Sequence, residues 1–273
     1  MLAAFRTALD YPLRQYFHWR RHGLQFRNQA KDRLFARLPD EARPLAQATA
    51  DRLLNTYHLH RLYYHSRVEN YCENLFYLEL LESALQRARA TLSPVIQAAD
   101  IGVSQWFYVQ ALYGLLKWWQ PVTGDALPEE GRAVTLSGFE ADAYRVYIDL
   151  YSRYDYALAH LRDLENAHYV PRRFEPQSAA YQFVTLLFPF LFLSDHLKWG
   201  LPRPMFSPQQ LLADAWASVA PGGLLIIVNQ GEAEQAAQSD MLQAAGIPVV
   251  AAFCHESLLF HYNLLRYVFV ARR

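Results

Sequence analysis

Over residues 1–92 the apolar positions recur every three or four residues: Leu53, Leu54 and Tyr57, then Tyr71, Leu75, Leu78, Leu81 and Leu85. That spacing lays them along one face of a helix. Breaks at Pro12, at Gly23, at Leu38-Pro39-Asp40 and at Pro44 divide the stretch into three or four helices, the last from about Ser66 to Ala90. β-Branched runs are scarce, so residues 1–92 are expected to form an all-α extension that either caps or flanks the rest of the chain.

At Ser93-Pro94 the period changes. VIQAADIG reads as a strand ending in a turn, and WFYVQALYGLLKWW as a helix. Residues 121–131 (PVTGDALPEEG) form a turn-rich loop, after which AVTLSGFE repeats the strand and DAYRVYIDLYSRYDYALAHL the helix. A third strand is expected near Ala167 to Pro171. The intensely apolar FVTLLFPFLFL, Phe183 to Leu193, reads as a buried strand of the kind that fills the centre of a parallel sheet. It is too short to cross a bilayer, and Pro189 interrupts it. A helix over Phe206 to Ala220 opens on Ser207-Pro208, an N-cap and N1 pair. PGG then turns the chain into a fifth strand, LLIIVN, followed by a helix from about Glu232 to Ala244 and two closing strands, IPVVAAF and LRYVFVAR. Alternating strands and helices with right-handed crossovers imply a doubly wound, mostly parallel seven-stranded α/β sheet over 93–273.

Charge changes this picture only locally. Lys plus Arg and Asp plus Glu stand at 26 each in the 273 residues, so the whole chain has no bulk attraction to nucleic acid or to an anionic membrane. Residues 1–92, however, carry 14 basic against 9 acidic side chains, and 93–273 carry 12 against 17. The expectation is two solvated or mutually packed faces of opposite sign, with nucleic-acid binding by the basic helices the less favoured reading. Cys72 and Cys254, far apart in apolar runs, provide neither a disulfide framework nor a thiolate metal cluster, which suits a reducing cytoplasm. The first residues break their apolar stretch with Arg6, Asp10 and Arg14 and lack a signal-peptide core.

In an open α/β sheet the ligand lies beyond the carboxyl ends of the strands. After the first strand stands Asp100-Ile101-Gly102-Val103-Ser104, where Gly102 permits a tight turn and Ser104 offers a hydroxyl beside the next helix. After the second stands Glu140, an acceptor for ribose hydroxyls. Each has a plainer alternative: Asp100 could bond its own turn, and Glu140 could be an ordinary first-turn helix acid. The aromatic run from Trp106 to Trp119 could stack on a base, though at helical spacing most of it belongs to the core.

The order of these pieces resembles the class I S-adenosylmethionine-dependent methyltransferases over roughly Ser93 to Arg273. Ala99-Asp100-Ile101-Gly102 matches the start of that family's cofactor loop, and Ser137-Gly138-Phe139-Glu140 its second-strand acidic motif. Val219 to Leu225, with its Pro-Gly-Gly, matches the turn before its fifth strand. The resemblance implies S-adenosylmethionine as cofactor, held by Asp100, Gly102, Ser104 and Glu140 with Phe188 and Pro189 after the fourth strand. Where the family continues Gly-x-Gly, this chain has Val103-Ser104-Gln105-Trp106. Phe188-Pro189-Phe190 is not the Asn/Asp-Pro-Pro-aromatic signature of amino-group methylation, which argues against a nucleobase N-methyltransferase. Arg172 and Arg173 occupy the place of an acidic residue after the third strand. Candidate catalytic groups are Asp195, His196, Glu232 and His255.

The implied activity is methyl transfer to a small-molecule or peptide acceptor, with homo-oligomerisation or a partner subunit compatible with the helical extension. The altered loop leaves a second reading, a binding or scaffolding protein of the same fold without catalysis. A nicotinamide-dependent dehydrogenase is disfavoured by the absence of Gly-x-Gly-x-x-Gly.

Overall fold

The structure is a computed structural model that describes residues 2–121 and 127–273, with side chains from Leu9 onward. Residues 122–126 of the expected 121–131 loop lie outside the described residues. The N-terminal third holds α1 (Leu2–Tyr16), α2 (Arg43–Thr56), α3 (His60–Tyr64) and α4 (Val68–Arg87). Pro12 does not break the first helix as expected; it sits inside α1 with its ring exposed. Pro44 lies in the first turn of α2, where its missing N–H has no helical acceptor to lose.

The alternating part comprises β1 (Val95–Ile101), α5 (Val109–Trp118), β2 (Ala133–Phe139), α6 (Arg153–His160), β3 (Ala167–Val170) and β4 (Tyr181–Leu187). Then come α7 (Leu193–Lys198), a short 3-10 turn (Arg203–Met205), α8 (Pro208–Ser218), β5 (Val219–Gln230), α9 (Gly231–Ala244), β6 (Val249–His255) and β7 (Arg266–Arg272). They form one seven-stranded sheet of order β3-β2-β1-β4-β5-β7-β6. The first five strands run parallel, and β7 lies antiparallel between β5 and β6.

Strand alternation builds two cores. On one face Ile96, Ala98, Phe183, Leu224, Ile226 and Val228 pack with α2, α4 and α5, so α2, α3 and α4 share a single core with the sheet. On the other, Ala99, Ile101, Val184, Leu225 and Ile227 pack with Leu212 and Ala215 of α8 and Leu242 of α9. α4 therefore flanks the sheet, while α1 reaches the strand ends, where Arg14 binds Asp142 just beyond β2.

Three segments depart from the sequence expectation. Pro221-Gly222-Gly223, expected as the turn before the fifth strand, lies inside β5, where Gly222 takes a left-handed φ of 78°. The helix expected from Asp142 is confined to Arg153–His160, because Ser152 and Asp155 form a capping box that fixes its start. Ahead of it Leu150 adopts a left-handed φ of 66° and Val146 bridges to Ser152. The buried strand expected over Phe183 to Leu193 stops at Leu187; Phe188 turns left-handed (φ 60°), and Leu193 begins α7.

Candidate functional site

Asp100 on β1 pairs in register with Gly138 of β2 on one side and with Thr185 of β4 on the other. Its carboxylate has no solvent exposure and accepts Thr185 Oγ1–H at 2.7 Å and the indole Nε1–H of Trp106 at 2.7 Å. Desolvation pushes its pKa up to about 6 despite the hydrogen bonds from Thr185, Trp106 and Tyr108, which favour the charged form. The Trp106 ring, fully buried, lies against Gly138; a Cβ there would stand 2.6 Å from it. Asp100 thus anchors the underside of the loop after β1.

That loop is tightly held. Gly102 N–H and Val103 N–H both donate to the Phe139 carbonyl, Ser104 N–H donates to Glu140 Oε2 at 2.7 Å, and Tyr169 O–H donates to the Ser104 carbonyl at 2.7 Å. Gly102, Ser104 and Trp106 are all left-handed, with φ of 79°, 52° and 53°. Ser104 therefore occupies without glycine the conformation that glycine favours.

Glu140, just after the end of β2, is buried. Its Oε1 accepts the Asp142 amide at 2.8 Å and lies 3.5 Å from Arg153 Nη1. Burial raises its pKa, opposed chiefly by the Arg153 charge and by the two backbone donors. Arg153, also buried, reaches Asp142 at 3.4 Å and lies over the Trp199 ring.

A cavity of about 610 Å³ opens where β1, β2 and β4 end. Its walls include Gly102, Ser104, Glu140, Phe188 and Pro189, which the resemblance assigned to one site, and also Gln105. Asp195 and His196 line it too. His196 Nε2 lies 2.9 Å from the Pro202 carbonyl; a carbonyl only accepts, so Nε2 carries the proton and Nδ1 is the ring's acceptor. Asp195 is bonded to Lys198 Nζ at 3.1 Å.

Asp100 does not line the cavity. Glu232 is exposed in the first turn of α9, and His255 is buried beside α4, 3.5 Å from Glu79 and edge-on to Phe76, in a separate small pocket. The lining also contains groups that sequence reasoning passed over: Tyr147, Trp199 and Glu234. Glu234 carried a readable signal, since its carboxylate accepts the Gln230 amide as a helix-start acid does. Tyr147 and Trp199 reach the cavity only through the turns around them, which no local pattern marks.

The strand order, the reversed β7 and a cavity at the strand ends decide the architecture. This is the class I methyltransferase fold. No protein-family model matches the sequence, and no curated protein matches it. Among solved structures, a SAM-dependent methyltransferase from Aquifex aeolicus aligns over 73% of this chain and 90% of its own, at 14% identity and TM-score 0.46. The N-methyltransferase NodS from Bradyrhizobium japonicum WM9 aligns over 71% and 92%, at 10% identity and TM-score 0.44. The [4+2]-cyclase SpnF aligns over 72% and 80%, at 10% identity and TM-score 0.48. These are likenesses of fold.

Proposed function

We propose that the cavity binds S-adenosylmethionine and that the protein transfers its methyl group to a small or medium-sized acceptor. The observation that carries this reading is the junction of the two wall segments. The Gly102–Gln105 loop and Glu140 meet on one cavity and are bonded to each other through the Ser104 amide. The donor set suits the cofactor. A Cβ built on Gly102 would meet no atom within 4 Å, so the backbone there is open to a ligand. Glu140 has lone pairs left for ribose hydroxyls, and its charge complements a sulfonium. The rings of Phe107, Tyr108 and Phe188 line the same cavity, an apolar setting that suits a cation or a base. The volume falls within the roughly 300–1,000 Å³ of small-molecule sites.

When bound, the cofactor supplies an electrophilic methyl group. The chain's own contribution is placement, since in-line transfer depends chiefly on orientation. The loop is fixed from below by Asp100 and Trp106, so Asp100 acts as a positioning residue behind the site. His196 Nδ1 is the group able to take a proton from an acceptor that carries one; Asp195, tied to Lys198, contributes charge at the same margin.

Calorimetric titration of S-adenosylmethionine and S-adenosylhomocysteine tests the reading. Micromolar binding to the wild type, weakened at least about tenfold in Glu140→Gln with its melting temperature monitored, is the expected result. Failure of both ligands to bind at millimolar concentration would leave the fold without its cofactor and favour the scaffolding role.

A further inference from the structure

From Leu9 onward, helix α1 lies with its polar side on the protein and its apolar side in solvent. Tyr11, Arg14, Gln15 and His18 share the three-and-four spacing of one helical stripe, and three of them make identified contacts with the body of the protein. Tyr11 O–H donates to the Ala141 carbonyl at 2.9 Å, Arg14 binds Asp142 through Nε and Nη2 and the Gly200 carbonyl at 2.8 Å, and His18 stacks on Tyr144. Leu9, Leu13, Tyr16 and Phe17 form the opposite stripe and are exposed, Tyr16 at 82% and Phe17 at 78%. Phe17 already lies just past the helix end, and Trp19, 68% exposed, extends the stripe further. A helix that docks on its own protein normally turns these faces the other way.

The ridge continues onto the turn before α6. Val146, Ile148 and Leu150 are exposed there, and Arg21 joins the two parts by donating to the Asp149 carbonyl at 3.0 Å. Tyr147, between Val146 and Ile148, lines the large cavity, so the ridge borders its rim.

Charge selects the occupant. The first 31 residues hold six Lys and Arg against the single Asp10, hence +5, which is the whole basic excess of residues 1–92; Arg14 is paired with Asp142 and Lys31 is buried, and Arg20, Arg21 and Arg27 present their charge to solvent. Neutrality over the whole chain conceals this. Arg20 and Arg21 are exposed and rest on the faces of Tyr154 and Tyr151. The one acidic neighbour on the turn, Asp149, is engaged by the Tyr156 hydroxyl and the Tyr151 amide. Exposed Leu, Phe, Tyr and Trp flanked by arginines match the interfacial zone of an anionic bilayer, where rings and aliphatic side chains enter the headgroup boundary and guanidinium groups pair with lipid charge. Among the described residues no helix is long and apolar enough to cross a membrane, so the contact would be peripheral.

We propose that α1, Trp19 and the 146–150 turn dock this protein on the surface of an anionic lipid membrane. The inference stands apart from the methyl-transfer reading. The test is co-flotation of the full chain with vesicles of phosphatidylcholine alone and with about 30 mol % phosphatidylglycerol. Binding to the anionic vesicles at least about tenfold tighter than to the neutral ones, and weakened by salt, is expected. The Leu13→Ser/Phe17→Ser/Trp19→Ser variant should lose it with an unchanged circular dichroism spectrum and melting curve, since all three side chains face solvent. Arg20→Gln/Arg21→Gln should lose most of the anionic preference. Absence of binding to either vesicle, or equal binding by the triple variant, overturns the proposal. So does a wild-type dimer by light scattering that the triple variant dissociates without any vesicle binding, which would assign the ridge to a second copy.

Discussion

The amide of Ser104 donates to Glu140 Oε2 across 2.7 Å, and this bond ties the loop after β1 to the residue just past β2. Removing Glu140 therefore acts on the fold as well as on the site. Glu140→Ala would leave the part-buried amide of Ser104 and the buried amide of Asp142 without an acceptor and deprive Arg153 of one of its two carboxylates. Urea unfolding should show a loss of about 3 kcal/mol, the scale for breaking a buried charged pair. A loss under about 1 kcal/mol would mean that the bonds are not formed in solution.

Gly138 is a packing position, and its flexibility is secondary. Its Cβ would stand 2.6 Å from the Trp106 ring, which cannot move without leaving Asp100. Gly138→Ala should cost about 1–3 kcal/mol, and pairing it with Trp106→Phe should recover part of the packing term. Strict additivity of the two losses would show that the residues do not touch.

Asp100 predicts a pH dependence of defined sign. Its folded pKa, about 6, lies above the ordinary value of 3.8, so folding favours the protonated carboxyl. The stabilisation is complete below about pH 4 and is lost as pH rises through about 6, a swing of about 3 kcal/mol at most. Measured against Asp100→Asn, the wild type should gain relative stability between about pH 7 and pH 4. A difference that stays flat, or slopes the other way, would show that Asp100 titrates as an ordinary carboxylate.

The parallel strands were legible because each is a short apolar run closed by turn residues, as in VIQAADIG and LLIIVN. Their order in the sheet was not: the crossover rule and the resemblance gave only a mostly parallel, doubly wound sheet, and the order β3-β2-β1-β4-β5-β7-β6 comes from the structure. The site was legible to the extent that it lies at strand ends: Gly102, Ser104, Glu140, Phe188 and Pro189 meet on one cavity. Asp100, expected just after the first strand as a cofactor contact, lies inside β1 and behind the cavity wall; its partner was not foreseeable, because Trp106 looks like any core aromatic until the sheet brings Gly138 beneath it. DAYRVYIDLYSRYDYALAHL misled because its apolar spacing is helical throughout, while the start is set by the local bond between Ser152 and Asp155. That signal was present in the sequence and outweighed the periodicity.

Arg14 touches both margins of the cavity rim, Asp142 beyond β2 and Gly200 beyond α7, from a helix whose other side is open to the surroundings. A ligand that spreads those margins must work against Arg14's bonds, and so must a surface that draws α1 outward. Where both events strain that one set of bonds they are thermodynamically linked: whatever free energy one adds to the other, it receives back in equal measure.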